Sequence, residues 1–109
     1  MEEDQKKKVE QLQVLDQNMQ NLTAQKQQFN TQLFETDSAL TELNKGREFF
    51  KIIGNIMVSS NKEDLEKDLT QRKEILELRI KTLEKQESKY REEIQKIQKD
   101  LMDLMKETK

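Results

Sequence analysis

Residues 49–58 read FFKIIGNIMV, an apolar stretch between two long polar arms. Phenylalanine, isoleucine and valine favour β-strands, because their aromatic or branched side chains pack well on a pleated surface. Gly54 and Asn55 stand in the middle of the stretch, and glycine at the first central position is typical of a type II′ hairpin turn. The stretch therefore predicts a β-hairpin at about residues 48–60, with strands at about 48–53 and 56–60.

We predict that this hairpin mediates assembly with other chains. A two-stranded hairpin is marginal alone in water, and apolar strands with open edges aggregate unless another chain pairs with them. A hydrophobic loop folded back on its own helices is the alternative, but the end of a two-helix pair has little room to cover six large residues. The residues predicted to carry assembly are Phe49, Phe50, Ile52, Ile53, Gly54, Asn55, Ile56, Met57 and Val58.

The arm before the hairpin predicts a helix over about residues 9–45. Its apolar residues follow each other at alternating steps of three and four, which is the heptad seam of a coiled coil. Asn44-Lys45-Gly46 predicts the helix end, with Gly46 in a left-handed conformation. The seam residues are Leu12, Leu15, Met19, Leu22, Lys26, Phe29, Leu33, Thr36, Leu40 and Leu43.

The arm after the hairpin predicts a second helix over about residues 61–107. Ser60 and Glu63 fit an S-x-x-E capping box at its start. On its outer face, many acidic residues stand four positions before a basic residue, and such pairs stabilise a helix without defining a site. The seam residues are Leu69, Lys73, Leu76, Ile80, Leu83, Glu87, Tyr90, Ile94, Ile97, Leu101 and Leu104, of which Lys73 and Glu87 are polar interruptions.

The central position of the hairpin predicts that the two arms fold back antiparallel. Residue i then faces roughly residue 109 − i, which places Phe29 opposite Ile80 and Leu12 opposite Ile97. The predicted fold class is mainly α: an antiparallel two-helix coiled coil with a short central β-hairpin. We expect a single domain over residues 1–109, with both termini at the end opposite the hairpin.

Composition excludes most enzyme chemistry. The chain has no Cys or His and only two Gly, so we expect no zinc site, no thiol nucleophile, no catalytic triad and no phosphate-binding glycine loop. We therefore expect no enzyme activity, no cofactor and no metal. Charged residues make up 39% and mean hydropathy is −1.07, but Leu, Ile, Val and Phe still total 27 of 109, so we favour long helices over disorder.

Nucleic acid and membranes are not expected partners. The basic cluster Lys6-Lys7-Lys8 is surrounded by acidic residues, and the isoelectric point is about 5.4. No apolar run approaches the roughly 20 residues of a membrane-spanning helix, and the charged N-terminus does not resemble a signal peptide. We therefore expect a cytoplasmic protein.

Two segments make the chain resemble a known family. FKIIGNIMV at residues 50–58 and LELRIKTLEKQE at residues 76–87 are similar to β-class prefoldin subunits, as found in archaea and in the related eukaryotic subunit 6. The β class has one hairpin in each chain and the α class has two, so the single hairpin favours β. One departure is the short loop between Leu43 and Phe49, where many β chains have a longer link.

The resemblance implies a function. Prefoldins are hexamers of two α-type and four β-type chains, whose hairpins join into an intersubunit β-barrel base from which the coiled coils extend. They are ATP-independent chaperones, or holdases, which bind unfolded proteins and deliver them to a group II chaperonin. The expected partners are thus α-type and other β-type prefoldin subunits, unfolded client proteins and a group II chaperonin.

The ends of the arms carry more apolar residues than one seam can bury, and the family binds clients at such coiled-coil tips. Val14, Met102 and Met105 lie off the seam, and methionine suits surfaces that accept many shapes. Frayed helix ends with extra apolar residues are the alternative reading. A structural coiled-coil scaffold that homodimerises is the alternative function. The predicted client-binding residues are Val9, Leu12, Val14, Leu15, Ile97, Leu101, Met102, Leu104 and Met105.

Overall fold

The computed structural model describes residues 2–46 and 48–107. Two long helices enclose one hairpin: α1 spans Glu2–Leu43, β1 Phe49–Ile53, β2 Ile56–Ser60 and α2 Lys62–Glu107. The predicted class, two long helices joined by a short antiparallel hairpin, is confirmed.

Helix α1 begins at Glu2, earlier than the predicted start near residue 9. Its first turn holds Glu2, Glu3 and Asp4, and negative charge at a helix N-terminus interacts favourably with the helix dipole. The apolar periodicity starts only near Val9, whereas the helix and its first half-buried residues, Gln5 and Lys8, come earlier in the chain.

Helix α1 ends close to the predicted residue, but the interactions that end it differ from the prediction. The amides of Lys45 and Gly46 both donate to the carbonyl of Glu42, which closes the last turn. Gly46 has no left-handed conformation; Gly54 alone among the described residues has a positive φ. The absence of a side chain matters at Gly46 for another reason, because a Cβ there would lie 3.1 Å from Cε1 of Phe49.

The hairpin forms as predicted. Its strands pair antiparallel from Phe49 opposite Ser60 to Ile53 opposite Ile56, so Gly54 and Asn55 make a two-residue turn. Gly54 has a φ of 61°, and Asn55 does not adopt a positive φ. A type I′ turn needs positive φ at both positions and a type II′ turn only at the first, so the turn is type II′.

Helix α2 is capped by Asn61, one residue after the predicted cap. Ser60 is the last residue of β2 and cannot serve as the cap. Instead, Asn61 Oδ1 accepts a 2.8 Å hydrogen bond from the amide of Asp64, and Asn61 Nδ2 donates to the Asp64 carboxylate at 3.1 Å. Asn61 thus makes the N-cap bond in place of Ser60, and the second bond of the pair joins the two side chains instead of returning to the Asn61 backbone amide as in a capping box.

The chain forms two compact units, each built from both helices. The terminal unit comprises Met1–Gln27 and Thr82–Lys109, and the hairpin unit comprises Gln28–Lys81. Within the terminal unit Lys8 pairs with Asp100, and within the hairpin unit Asp37 pairs with Lys73. The residue numbers of these pairs sum to 108 and 110, so the helices are antiparallel in each unit and close to the predicted register.

The core of each unit is the predicted seam. Every predicted seam residue is buried or half-buried, including the polar members. A pair of helices has only one narrow contact line, so no large side chain among the described residues is completely buried. The most buried apolar residues are Leu22, Leu43, Leu76, Ile80 and Leu83.

Candidate interaction surfaces

One face of the hairpin is fully open to solvent. Directly opposed residues of an antiparallel pair share a face, so Phe50, Ile52 and Met57 lie together with Ser59. Their exposed fractions are 54%, 69% and 64% for the three apolar residues. This extent of exposure argues against the alternative in which the segment folds back on its own helices.

The other face of the hairpin is held toward α2 at one end and open at the other. Lys51 Nζ lies 3.0 Å from Asp68 Oδ2, and Phe49 is half-buried beside the end of α1. Near the turn, Ile53 and Ile56 are again exposed by 58% and 67%. The hairpin is thus attached through its helix-proximal residues, and its turn end has apolar side chains exposed on both faces.

The hairpin also has two open edges. The described sheet contains only β1 and β2, so the outer side of each strand has backbone groups without a neighbouring strand. All nine residues of the predicted assembly segment lie in these strands and their turn. The geometry can accept another strand at either edge and an apolar surface against either face.

The predicted client-binding residues all lie in the terminal unit, but the structure divides them by position. Leu12, Leu15, Ile97, Leu101 and Leu104 are half-buried in the seam. Val9, Val14, Met102 and Met105 are exposed by 44%, 60%, 59% and 62%.

The four exposed residues lie on two flanks of the terminal unit. With Leu12 and Leu101 as the a positions of their heptads, Val14 falls at c, and Val9, Met102 and Met105 fall at e, b and e. In an antiparallel pair the c and g positions of both helices line one flank, and the b and e positions line the other. The sequence analysis grouped these residues at the coiled-coil tips, and the helix geometry divides the exposed ones between two separate surfaces.

The flank that holds Val14 is a groove of about 710 Å³ between the two helices of the terminal unit. Val14, Leu15 and Ile97 give it apolar walls. Its charged lining residues are balanced in sign: Lys7, Lys8, Lys96, Glu10, Glu93 and Asp100. The groove therefore has apolar contact area without a net charge that would select one class of charged ligand.

An ion pair connects the two polar interruptions of the seam in the terminal unit. Lys26 Nζ donates to Glu87 Oε1 at 3.0 Å and lies 3.8 Å from Glu84 Oε1. The Glu87 side chain is only 11% exposed. The predicted register, in which residue i faces residue 109 − i, places Glu87 opposite Leu22, so this pair was missed, although both members are charged residues in an apolar seam.

A second ion pair crosses the helices of the hairpin unit. Lys73 Nζ lies 2.9 Å from Asp37 Oδ1. The hydrogen bond to Asp37 and then its negative charge raise the pKa of Lys73, with a smaller contribution from Glu77. Lys73 is therefore a charged seam residue whose positive charge is paired with Asp37 on the neighbouring helix.

Three exposed apolar residues of the hairpin unit were missed by the sequence reasoning. Phe34, Ile75 and Leu78 are exposed by 72%, 52% and 66%. The sequence did contain a signal for them, because each is a large apolar residue that lies off the seam of its helix. They belong neither to the hairpin nor to the terminal unit.

The described residues offer no group of three or more acidic, His or Cys side chains that could hold a metal ion. Within the same residues, no helix combines the length and the apolar character needed to cross a membrane.

Comparison with known proteins identifies the family. The family model described as prefoldin subunit matches residues 6–108. The prefoldin subunit beta of Archaeoglobus fulgidus is 43% identical over 100 residues, which cover 89% of this chain and 86% of that protein. The prefoldin subunit beta of Sulfurisphaera tokodaii is 37% identical over 97 residues, covering 86% of this chain and 78% of its own.

A solved structure agrees with the sequence relatives. The crystal structure of the prefoldin beta subunit from Thermococcus strain KS-1 superposes with a TM-score of 0.88 and 26% identity, and covers 93% of this chain and 91% of its own. The match includes both long helices and the hairpin, and it agrees with the β class that the single hairpin predicted. The chain belongs to the prefoldin family of chaperone subunits, and its relatives are beta subunits.

Proposed function

We propose that this chain is a β-type subunit of a hetero-hexameric, ATP-independent holdase, which binds unfolded proteins and delivers them to a group II chaperonin in the cytoplasm. The observation that carries the proposal is the hairpin, with its apolar residues exposed on both faces and its two open edges. Such a surface is an aggregation liability in a lone chain, so it supports a function within an assembly.

The hairpin is the proposed assembly element, joining other hairpins in an intersubunit β-barrel. Strand pairing at the open edges would satisfy the outer backbone groups, and closure of a barrel would cover one apolar face. Burying a side chain such as Ile52 contributes about 2 kcal/mol. Several such residues in each chain are enough to favour a stable oligomer over a separated subunit.

Assembly can be tested by co-expression with an α-type prefoldin subunit and measurement of the mass by light scattering. We expect a complex of about six chains, by the family resemblance. Ile53→Lys together with Ile56→Lys should abolish the complex while helix content remains. Gln17→Lys together with Ala24→Lys is the matched control, because it places the same two charges on exposed helix positions away from the hairpin.

The outcome also separates the proposal from a scaffold function. A stable homodimer that does not associate with the α-type subunit would overturn the chaperone proposal and favour a coiled-coil scaffold. A full-size complex formed by the double lysine variant would show that the hairpin is not the assembly element.

The terminal unit is the proposed client-binding region. Its exposed residues on two flanks offer separate apolar contacts, and the two methionines can adapt to different client side chains. Contacts on both flanks allow a holdase to grip a client without one large continuous apolar patch, which would promote self-association.

Client binding can be tested by suppression of the aggregation of a chemically denatured protein. Met102→Gln with Met105→Gln keeps side-chain length but removes apolar character, and should raise several-fold the chaperone concentration needed for half suppression. Val14→Gln tests the other flank in the same assay, and Ala24→Gln is the control. Unchanged suppression by both flank variants, in hexamers of normal mass, would rule out client binding at these residues.

Delivery to a group II chaperonin rests on the family resemblance. We expect a client held by the hexamer to transfer to an added group II chaperonin without ATP being consumed by the hexamer. Size-exclusion chromatography of a fluorescent client would detect the transfer as movement of the label to the chaperonin peak. A label that stays with the hexamer would contradict delivery.

A further inference from the structure

The oxidisable sulfur atoms of this chain are all thioethers. Cysteine and methionine are the side chains that peroxides oxidise at sulfur, and a reactive thiol would compete for the oxidant. The chain has no cysteine, so its five methionines hold all of its sulfur. Four of them lie in the described residues, and Met1 lies outside them: Met19, Met57, Met102 and Met105.

The four described methionines differ in their environment. Met19 is half-buried in the seam of α1. Met57 lies in β2 of the hairpin, which is the proposed assembly element. Met102 and Met105 are exposed and lie off the seam, at the b and e positions of α2. Because susceptibility to oxidation follows exposure, a peroxide in solution reaches these two sulfur atoms without any opening of the helix pair.

Met102 and Met105 also make up most of one candidate client-binding flank. Residues three apart on a helix are neighbours on its surface, so the two side chains lie next to each other. Val9 is the other exposed large apolar residue of this flank among the described residues, and Val14 lies on the opposite flank. A change of polarity at the two methionines therefore leaves Val9 as the apolar contact of this flank.

Oxidation makes that change of polarity. A lone pair of the thioether sulfur attacks one oxygen of hydrogen peroxide, so that an S–O bond forms as the O–O bond breaks. The leaving hydroxide takes the proton of the transferred oxygen and becomes water. The sulfur is oxidised and the peroxide is reduced. The product, methionine sulfoxide, is polar and chiral, and methionine sulfoxide reductases convert it back to methionine.

We propose that Met102 and Met105 form a peroxide-sensitive modification site, at which oxidation to sulfoxides reversibly removes the apolar character of one client-binding flank. The sulfoxides lie off the seam, so the helix pair and the complex stay intact. The flank of Val14 is unchanged, so client binding is weakened rather than abolished. The effect on client binding rests on the proposed function, whereas the selectivity of the oxidation does not.

Peptide mass spectrometry tests the selectivity. Complexes assembled with an α-type subunit are treated with hydrogen peroxide for increasing times, and each methionine of this chain is followed by the mass of the added oxygen. We expect Met102 and Met105 to be oxidised several-fold faster than Met19, because exposed thioethers react first. Oxidation of Met19 at the same rate as these two would overturn the proposal.

Suppression of the aggregation of a denatured protein measures the consequence. The peroxide is removed before the client is added, so that only the chaperone is oxidised. We expect the oxidised wild-type complex to need a several-fold higher concentration for half suppression, with unchanged mass and helix content. Treatment with reductases for both sulfoxide epimers should restore the original concentration, and a loss that these enzymes do not reverse would contradict a reversible site.

Met102→Leu together with Met105→Leu gives apolar side chains without sulfur. Each variant is compared with its own untreated form, so any effect of the leucines themselves on client binding cancels. Peroxide should leave the half-suppression concentration of this variant unchanged, but raise it several-fold for the matched control Met19→Leu. All complexes contain the same α-type subunit, so oxidation of that subunit contributes equally. An equal rise in the Met102 and Met105 leucine variant would overturn the proposal.

The glutamine variant of the same two residues separates this proposal from the proposed function. Met102→Gln with Met105→Gln imitates the polarity of the sulfoxides without oxidation. If this variant loses suppression but full oxidation of both wild-type methionines does not, the modification site is overturned and client binding on this flank stands. If the glutamine variant suppresses aggregation as well as the wild type does, client binding at these methionines is wrong, and the effect of oxidation is overturned with it.

Discussion

Replacing Lys26 with alanine tests the ion pair that interrupts the apolar seam of the terminal unit. The Glu87 carboxylate lies 3.0 Å from Lys26 Nζ, and the side chains of Lys26 and Glu87 are 29% and 11% exposed. Without the lysine, the carboxylate stays in the seam with no matching charge. Removing one member of a buried pair costs 3–5 kcal/mol, and because this pair is partly solvated we expect about 3 kcal/mol.

Removing the other member of the pair, Glu87, should lower the free energy of unfolding by less. Glu87→Ala leaves a lysine that is more exposed, that can extend its long side chain to water, and that still lies 3.8 Å from Glu84 Oε1. We expect a loss of about 1 kcal/mol. The double variant Lys26→Leu with Glu87→Leu restores an apolar seam and should be at least as stable as the wild type, because replacing a whole buried pair avoids its desolvation cost.

Urea unfolding followed by far-ultraviolet circular dichroism measures these differences. With a slope of about 2 kcal/mol per M, a loss of about 3 kcal/mol lowers the midpoint by about 1.5 M. Lys45→Ala is the control, since Lys45 lies 3.9 Å from Glu42 and both side chains are about 70% exposed. If Lys26→Ala shifts the midpoint no more than Lys45→Ala does, the pair is effectively solvated and the reasoning is refuted.

Three further predictions concern local structure. Gly54→Ala should destabilise the hairpin by about 1 kcal/mol, because Gly54 has a positive φ of 61°, which is unfavourable for alanine. The assay is dissociation of the hexamer, and a loss of less than about 1 kcal/mol would contradict the turn assignment. Asn61→Ala should lower the unfolding free energy in urea by about 1 kcal/mol through loss of the bond to the Asp64 amide, whereas no change would show that the cap is dispensable. Asp37 raises the pKa of Lys73, so their pair stabilises the folded chain below the ordinary lysine pKa of about 10.4, and this stabilisation disappears as the pH rises through the raised value. The stability difference between wild type and Asp37→Asn should therefore shrink in alkaline solution, and a difference that grows with pH would contradict it.

The regular parts of the fold were predictable because they depend on periodicity. A step of alternating three and four residues determines which side of a helix is apolar, and each predicted seam residue is buried or half-buried. The same holds for the hairpin, since glycine at the first turn position restricts the turn to a few types. Register followed from matching two seams about the central turn.

The details at helix ends were less predictable, because several residues compete for the same role. Ser60 and Asn61 are both good N-caps, and the choice depends on where the strand ends. Ser60 is taken into β2 by its pairing with Phe49, so Asn61 becomes the cap. Gly46 had a local explanation in the sequence, but its actual constraint is the ring of Phe49, which approaches it through space.

For the candidate surfaces too, one part was predictable from the sequence and another part was not. The nine hairpin residues could be named from sequence, since exposure on both faces follows from an apolar strand pair with no partner in the chain. The apolar tip was identified as a set of residues, but not as two flanks. Phe34, Ile75 and Leu78 were overlooked because single off-seam apolar residues attract notice only when their positions on the helix pair are known.

The sequence by itself determined two heptad seams and a central turn, because each follows from residue type and spacing along the chain. Only the tertiary structure decided which charges meet across the seam and which apolar residues share a flank. Lys26 and Glu87 are 61 positions apart, and their interaction exists only after the helices pack in one register. Contacts between distant residues depend on that register and on side-chain direction, which a linear pattern specifies to within about one helical turn.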